Sequence, residues 1–184
     1  MSCSLRIQKE RSIFLDSSFS EKDVNELIKE FHHLNLKDGD IFLQINCVGG
    51  SFAGAKKLYE AIRFSRNKVI GVVVGNCFSG AALALQACHR RYASPLSKMG
   101  VHYITLPISF TIDDLKPMNH YVDKLRLKYR ERKNNNKLIL NLLYDRMKID
   151  KKIIKELLAN EKELGAKEAL NLNMIDEIIS YNPV

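Results

Sequence analysis

The sequence lacks the features that would place it among membrane, secreted or metal-binding proteins. It has no tryptophan, four prolines and four cysteines among 184 residues, and no two cysteines form a CxxC pair. Neither a disulfide framework nor a zinc site is expected. His32 and His33 are adjacent but would point to different faces of a helix, so they are not expected to bind a metal ion together. No apolar run reaches the length of about 18 residues that a membrane span needs. The polar first dozen residues lack a signal-type segment, so we expect a cytoplasmic protein without bound metal.

Charge is distributed unevenly along the chain. The formal net charge is +8 at pH 7, a value that raises the question of a nucleic-acid partner. Seven basic residues, against the single acid Glu131, lie between Lys124 and Lys137. Because the excess is local, we expect a solvated or partner-facing helix at this position and regard nucleic acid as an unlikely partner.

Apolar patterning predicts alternating strands and helices, and hence an α/β fold with a mainly parallel sheet. Ser20 is the expected N-cap of the first helix, with Asp23 three residues later, and Asn134 to Asn136 are expected to break or loosen a long charged helix. With no repeat or linker, a single domain is predicted. The predicted strands cover 12–15, 41–45, 69–74, 91–93 and 175–179, and the predicted helices cover 21–34, 53–65, 79–87, 114–134, 138–146, 151–159 and 166–170.

Ser79 is a candidate nucleophile at the end of a glycine-rich turn, 75–80. The carboxyl ends of parallel strands collect functional groups, and a serine at a helix N-terminus lies near unpaired amides. Gly80 would let its N–H approach an oxyanion closely. The alternative is that Ser79 only caps the helix, as serine often does.

Gly49 and Gly50 form a second glycine turn, directly after a predicted buried strand. Paired glycines allow a backbone N–H to point into a cleft, and acyl transfer uses two such amides. An ordinary tight turn explains the same residues equally well.

His102 is a candidate general base within a short apolar stretch. A histidine in that setting is also often a satisfied core residue. The G-x-S-x-G nucleophile elbow is not matched, because Cys77 and Ala81 replace its glycines, but triads are defined by geometry and not by order in the chain. Cys77 itself is a less favoured nucleophile.

Several ordered motifs carry a family resemblance. They are KERSIFL at 9–15, DIFLQINCVGGS at 40–51, GNCFSGAA at 75–82, MGVH at 99–102, EKELGAKEA at 161–169 and MID at 174–176. Over nearly all its length the chain resembles the proteolytic subunit of Clp proteases. The resemblance implies a ClpP/crotonase-like α/β fold of repeated β-β-α units, in one domain at 1–184 with a handle-like helical insertion at about 104–140.

The resemblance also implies the site residues. Ser79 would be the nucleophile, His102 the base, and the amides of Gly50 and Gly80 the oxyanion hole, with no cofactor. The family's aspartate aligns with Glu161. Glu163 and Asn160 are alternatives for that role, and all three residues being simply solvated is a further alternative. Cys47 and Val48 replace the serine and proline of the family's Gly-Gly turn.

Activity and partners follow from the resemblance as expectations. The chain would be a serine endopeptidase acting on peptides or unfolded polypeptides inside a ring of subunits, a homo-oligomer in the family's manner. The short segment before the first strand leaves an unfoldase ATPase partner uncertain. A catalytically impaired subunit that acts as scaffold or regulator, and a crotonase-type acyl-CoA enzyme, are the alternative functions. Substrate preference and subunit count are not predicted.

Overall fold

Strands and helices alternate through the first half of the protein, as the apolar pattern predicts. The structure, a computed structural model, describes residues 5–105 and 118–179. Within these ranges the strands are β1 (Ser12–Phe19), β2 (Ile41–Gly50), β3 (Val69–Phe78), β4 (Arg90–Ala93), β5 (Lys98–Gly100), β6 (Leu164–Gly165) and β7 (Glu177–Ile178). The helices are α1 (Glu21–Asn35), α2 (Phe52–Arg63), α3 (Gly80–Ala87), α4 (Met118–Met147), α5 (Lys151–Asn160) and α6 (Ala166–Asn171).

The strands form one mainly parallel sheet, which confirms the predicted fold class. Its main order is β1-β2-β3-β4-β7, with all of these pairs parallel. The long strand β3 has two partners on one side: β4 pairs with Ile70–Val73, and β5 pairs with Asn76–Phe78. Strand β6 pairs antiparallel with β5. This arrangement places β5, and the chain that follows it, beside the carboxyl end of β3.

Local capping determines where α1 begins. The Ser20 hydroxyl accepts a hydrogen bond from the Asp23 N–H, and the Asp23 carboxylate accepts one from the Ser20 N–H, so the predicted cap is confirmed as a reciprocal capping box. At the carboxyl end of α1, hydrogen bonds come from Arg11, which lies before β1. Its buried guanidinium donates to four backbone carbonyls, those of Leu34, Lys37, Gly39 and Asp40. These bonds satisfy carbonyls at the helix end and in the turn that leads into β2.

The core lies on the sheet face that α1, α2 and α3 cover. All eight residues of α3 are buried, among them Leu83 and Leu85, which explains the small apolar composition of this helix. A smaller apolar cluster around Phe42, Ile70 and Val72 lies on the other face. Since α3 is enclosed on every side, its first residue is held in a fixed position.

Three strands extend further than the local pattern predicts. The predicted ends at 15, 45 and 74 are wrong, because β1 continues to Phe19, β2 to Gly50 and β3 to Phe78. Pairing resumes after an irregularity, with Cys47 opposite Cys77 and Gly49 opposite Ser18. Both glycine turns are therefore bulged ends of strands, a structure that single-strand periodicity does not reveal.

Helix α4 is continuous, and the break expected at Asn134 to Asn136 is wrong. The backbone stays helical for 30 residues. The Asn136 side chain accepts a hydrogen bond from the Ile104 N–H at 2.9 Å, so a tertiary contact uses the side chain that could have competed for the backbone. That 104–140 is a handle-like insertion in a single domain stays a prediction, and 106–117 lie outside the described residues. None of the helices in the described ranges is both long and apolar enough to cross a membrane.

Candidate active site

Ser79 lies at the sharp junction between β3 and α3. Its backbone has φ 53° and ψ −121°, an unusual conformation for a residue with a side chain. Its N–H donates to the Gly100 carbonyl at 2.9 Å, which ties the junction to β5. The Ser79 side chain makes no capping hydrogen bond. Ser79 thus occupies the N-cap position of α3 without using its hydroxyl as a cap.

The Gly-Gly turn packs directly against this junction. Gly49 has φ 102°, and a Cβ on it would lie 2.7 Å from the Ser79 Cβ and 2.7 Å from the Phe78 carbonyl oxygen. A Cβ on Gly50 would lie 2.0 Å from the Phe19 carbonyl oxygen. Both positions exclude any side chain. The glycines bring the backbone of β2 into contact with the candidate nucleophile.

Two residues that the sequence analysis gave no role in the site, Asn46 and Cys47, make the hydrogen bonds of this turn. The Gly49 N–H donates to the Cys47 sulfur at 3.3 Å, and the same sulfur lies 3.8 Å from the Gly49 carbonyl oxygen. The Asn46 side-chain oxygen accepts from the Asn76 N–H at 3.0 Å. Polar side chains just before a Gly-Gly pair were the available signal, but their partners are distant in the sequence.

His102 follows β5 and is half-buried. Its Nδ1 lies 2.8 Å from the Tyr103 carbonyl oxygen. A carbonyl can only accept, so Nδ1 is the donor in this hydrogen bond, and in the tautomer that carries one ring hydrogen Nε2 is the acceptor. The Tyr103 N–H in turn donates to the Leu158 carbonyl in α5 at 3.1 Å. The histidine is thus anchored through the backbone, in the tautomer that a general base requires.

One cavity brings four of the predicted site residues together. It has a volume of about 200 Å³ and is bordered by Ser79, His102, Gly50 and Gly80. The remaining lining is mostly apolar and comprises Phe52, Leu83, Val101, Ile104, Thr105 and Ile139. The arrangement places a hydroxyl, an imidazole and two glycine turns around a space lined with hydrocarbon.

The three candidates for the third triad residue, which would orient and stabilise His102, do not border this cavity. Glu161 is exposed at the end of α5, with φ 50°, and does not border this cavity. Glu163 forms an ion pair with Lys98, and Asn160 is exposed. The Lys162 backbone nevertheless passes beside Gly100, where a Cβ would lie 3.3 Å from the Lys162 carbonyl oxygen. The assignment of Glu161 stays a prediction.

The buried cysteines are poor nucleophiles. Burial raises the pKa of the Cys77 thiol well above its ordinary value, and the neighbouring Cys47 and Cys88 add to the effect. Burial also raises the pKa of Cys88 to about 12. Since the thiolate is the reactive form, the geometry disfavours Cys77 as the nucleophile. Among the described residues, no group of three or more His, Cys, Asp or Glu side chains is placed to hold a metal ion.

Comparison with known proteins agrees with the motif resemblance. The family model described as Clp protease matches residues 1–182. The ATP-dependent Clp protease proteolytic subunit 1 of Rhodococcus jostii (strain RHA1) is 25% identical over 181 residues, covering 96% of this chain and 78% of that protein. The proteolytic subunit of Borreliella afzelii (strain PKo) is 25% identical over 178 residues, with 95% and 85% covered. Subunit 2 of Tropheryma whipplei (strain Twist) is 28% identical over 129 residues, with 68% and 71% covered. With a family match over almost its whole length, the chain belongs to the Clp protease family.

Proposed function

We propose that this chain is a serine endopeptidase that cleaves peptides or unfolded polypeptides through an acyl-enzyme intermediate. The observation that carries the proposal is the shared cavity of Ser79, His102, Gly50 and Gly80. The uncommitted side chain of Ser79 and the Nδ1 hydrogen bond of His102 support it. Family membership supports the same chemistry.

The reaction follows from these groups. Nε2 of His102 accepts the Ser79 hydroxyl proton as the serine oxygen attacks the substrate carbonyl carbon. The N–H groups of Gly50 and Gly80 stabilise the resulting oxyanion. The protonated His102 then donates to the leaving amine as the peptide bond breaks. Water, deprotonated by His102, then attacks the acyl-enzyme carbonyl carbon. As the bond to the Ser79 oxygen breaks and the acid is released, the protonated His102 returns the proton to that oxygen, which restores both residues.

The cavity lining supports a preference for substrates with an apolar side chain near the cleaved bond. Phe52, Leu83 and Ile139 form part of that lining, and transfer of an apolar side chain from water to such a surface is favourable by about 25 cal/mol per Å² buried. The ring assembly and cytoplasmic location remain proposals based on the family resemblance. The relatives are named as ATP-dependent.

The first experiment is reaction with a fluorophosphonate, followed by intact mass. We expect one adduct on the native chain, none on Ser79→Ala and slowed formation on His102→Ala. Ser51→Ala is the matched control, because Ser51 lies next to Gly50 but its hydroxyl caps α2 by accepting from Gly54, so its adduct should persist. Absence of an adduct from folded, assembled native protein would exclude the peptidase proposal.

The second candidate function is an inactive subunit that acts as scaffold or regulator. A specific observation favours it: the Nδ1 partner of His102 is a backbone carbonyl, and Glu161 lies outside the cavity. The expected signature is co-purification with an active Clp-type subunit and no turnover of peptide substrates. The acyl-CoA alternative predicts a thermal shift with coenzyme A, and no observation on the site favours it.

A further inference from the structure

Basic side chains from four parts of the chain lie together at the amino ends of β3 and β4. Lys68 precedes β3, His89 precedes β4, Arg63 is the last residue of α2, and Arg146 is near the end of α4. Burial lowers the pKa of His89, and the charges of Arg63, Arg146 and Lys68 lower it further. Since charges act on a neighbour in this way only at short range, the four side chains form one group, which we call the basic cluster.

His89 is held in a defined orientation within the basic cluster. Its backbone N–H donates to the Val69 carbonyl at 2.8 Å, and the Val69 N–H donates to its ring nitrogen Nδ1 at 3.0 Å. Because Nδ1 is the acceptor here, the neutral ring carries its hydrogen on Nε2. That Nε2–H has no acceptor within the described ranges. The ring therefore offers a hydrogen-bond donor that the fold does not use.

The guanidinium of Arg146 reaches the same place without meeting a carboxylate. One of its terminal nitrogens donates to the carbonyl of Cys88, the residue before His89, at 2.7 Å. Its Nε is buried and has no hydrogen-bond partner among the described residues. Arg63 and Lys68 are exposed, and neither forms an ion pair in the part of the chain that the structure describes. Donors that lack acceptors are unfavourable when buried, so the basic cluster is suited to an added acceptor.

The nearby acids do not neutralise the basic cluster. Asp176 acts on Arg146, but its carboxylate is bound by Arg91 through both the guanidinium and the backbone N–H. Burial and the charges of Arg91 and Arg63 accordingly lower the pKa of Arg146 despite Asp176. Asp145 is adjacent to Arg146 in α4, so the two side chains point in different directions. A positive excess remains.

A phosphate group matches these donors in charge and shape. It carries about 1.5 to 2 negative charges at neutral pH and presents three or more acceptor oxygens. Guanidinium groups bind phosphate through paired N–H bonds, and such charge-assisted bonds are short and strong. A carboxylate carries a single charge and only two oxygens, too few for donors that come from four side chains.

We propose that the basic cluster binds a phosphate-type anion, either inorganic phosphate or the phosphoryl group of a monoester. Its donors are the guanidinium groups of Arg63 and Arg146, the Lys68 ammonium and the Nε2–H of His89. The cluster lies at the amino end of β3, whereas Ser79 follows the carboxyl end, ten strand residues or about 30 Å away. The inference is independent of the proposed peptidase function, and its test uses no substrate, so the two can fail separately.

The test is isothermal titration calorimetry of the assembled full chain with inorganic phosphate and, in a second arm, with ribose 5-phosphate as the monoester. Malonate, a dicarboxylate of similar charge, is the ligand control at the same ionic strength. We expect saturable binding of phosphate that weakens with added salt, and at least about tenfold weaker binding of malonate. Tighter binding of the monoester would support an ester as the ligand, and equal binding would support the free ion.

Variants locate the phosphate site. Arg63→Gln with Lys68→Gln removes two charges at exposed positions and should weaken phosphate binding by about tenfold or more. His89→Asn keeps an oxygen that can accept from the Val69 N–H but lacks the Nε2–H, and should weaken binding by about threefold or more. The matched control is Lys152→Gln with Lys155→Gln, which removes two charges at exposed positions of α5 and should change the affinity by less than about twofold.

Four results would overturn the proposal. Absence of saturable phosphate binding by the folded, assembled protein would exclude the site. Equal affinities in the Arg63→Gln and Lys68→Gln double variant and in the α5 control would place any binding elsewhere. Malonate binding as tight as phosphate binding would mean that charge alone is recognised. Tighter binding of a single-stranded oligonucleotide than of either phosphate ligand, lost in the same double variant, would identify a nucleic-acid surface.

Discussion

At the scale of single residues, the geometry of the candidate site depends on glycines that admit no side chain. Ser79 adopts a positive φ, a conformation that costs about 1–3 kcal/mol and persists only where its surroundings enforce it. The surroundings here are the Gly100 carbonyl, which accepts from the Ser79 N–H, and Gly49, which packs against the Ser79 side chain. Changes at these neighbours should therefore act on Ser79 itself.

Gly49→Ala tests this dependence. The new methyl would lie 2.7 Å from the Ser79 Cβ, so we expect the rate of fluorophosphonate labelling to fall by about 100-fold or more, as happens when catalytic groups are misplaced by about 1 Å. Gly39→Ala is the control. Gly39 also has a positive φ, 122°, but a methyl there meets only Arg11 at 3.6 Å, so the backbone strain is similar and the labelling rate should be retained. If Gly49→Ala and Gly39→Ala were labelled by the fluorophosphonate at similar rates, the position of Ser79 would not depend on Gly49.

Glu161→Gln tests whether Glu161 is the third triad residue. If the carboxylate of Glu161 stabilises protonated His102, its removal should lower kcat by about 10- to 100-fold with little change in KM, a smaller loss than in complete triads because Tyr103 already orients the ring. Glu163→Gln is the matched control, since Glu163 is paired with Lys98. If both changes had equal and small effects on peptide hydrolysis, the Tyr103 carbonyl would be the group that orients His102, without a carboxylate.

At the scale of elements, α4 connects the candidate site to the surface. Asn136 in this helix holds the Ile104 N–H, two residues after His102, and Ile139 borders the cavity. The same helix carries the seven basic residues of 124–137. A single element thus contacts both the segment that bears the histidine and the cavity itself.

Asn136→Ala should loosen the His102 segment without unfolding α4. Loss of the hydrogen bond leaves the Ile104 N–H without its acceptor, and we expect the free energy of unfolding to fall by about 1–2 kcal/mol. Fluorophosphonate labelling should slow, while the helical circular dichroism is retained. Asn134→Ala is the control at an exposed position, where alanine's higher helix propensity should leave stability equal or slightly higher. Unchanged labelling in Asn136→Ala would show that the bond does not position His102.

At the scale of the whole molecule, a long-range ion pair joins the end of the chain to the sheet. Arg91 in β4 is 4% exposed and pairs with Asp176, just before β7, which is 26% exposed at its side chain. The Arg91 N–H also donates to the Asp176 carboxylate at 2.8 Å. Nearby, Gln86 in α3 accepts from Arg91 and donates to the Met174 carbonyl. This network connects α3, whose first turn follows Ser79, to the carboxyl-terminal strand.

The pair predicts a dependence of stability on acid pH. Burial acts to raise the pKa of Asp176, but the hydrogen bonds and charge of Arg91, with the charge of Arg146, outweigh it and hold the pKa below its ordinary value. The stabilisation is therefore complete above the unfolded-state pKa of about 3.9 and is lost as the pH falls through the lower folded-state pKa.

Asp176→Asn should remove this contribution. We expect it to lower the free energy of unfolding at neutral pH by about 1–2 kcal/mol, less than for a fully buried pair because Asp176 is partly exposed. Denaturant titrations below pH 4 should show a shallower decline for the variant than for the native chain. Asp38→Asn is the control. Its pair with Arg66 is highly exposed and should contribute less than about 0.5 kcal/mol. If the free energy of unfolding of Asp176→Asn fell with pH below 4 as steeply as that of the native chain, Asp176 would not be the source of the acid dependence.

The residue pattern alone predicts the α/β class, the order of most elements and the capping of α1. Each of these depends on interactions between residues close in the sequence, such as the Ser20–Asp23 capping box or the small apolar run of α3. Glycine turns after predicted strands also indicated Ser79, Gly50 and Gly80 as candidates. His102 was already a candidate base from the residue pattern; the motif resemblance implied that role for it and gave the correct family.

The remaining features depend on contacts between distant parts of the chain, which local patterns do not encode. Parallel pairing of β2 and β3 joins Asn46 to Asn76 across 30 residues and brings Gly49 against Ser79. The Tyr103 carbonyl could be recognised as the partner of His102 only once α5 had anchored that segment. The continuity of α4 through its asparagines likewise depends on the Ile104 backbone and on burial of Ile139 and Leu143. Those contacts form only in the folded protein, because they are stabilised when surfaces of separate elements pack together and are removed from water.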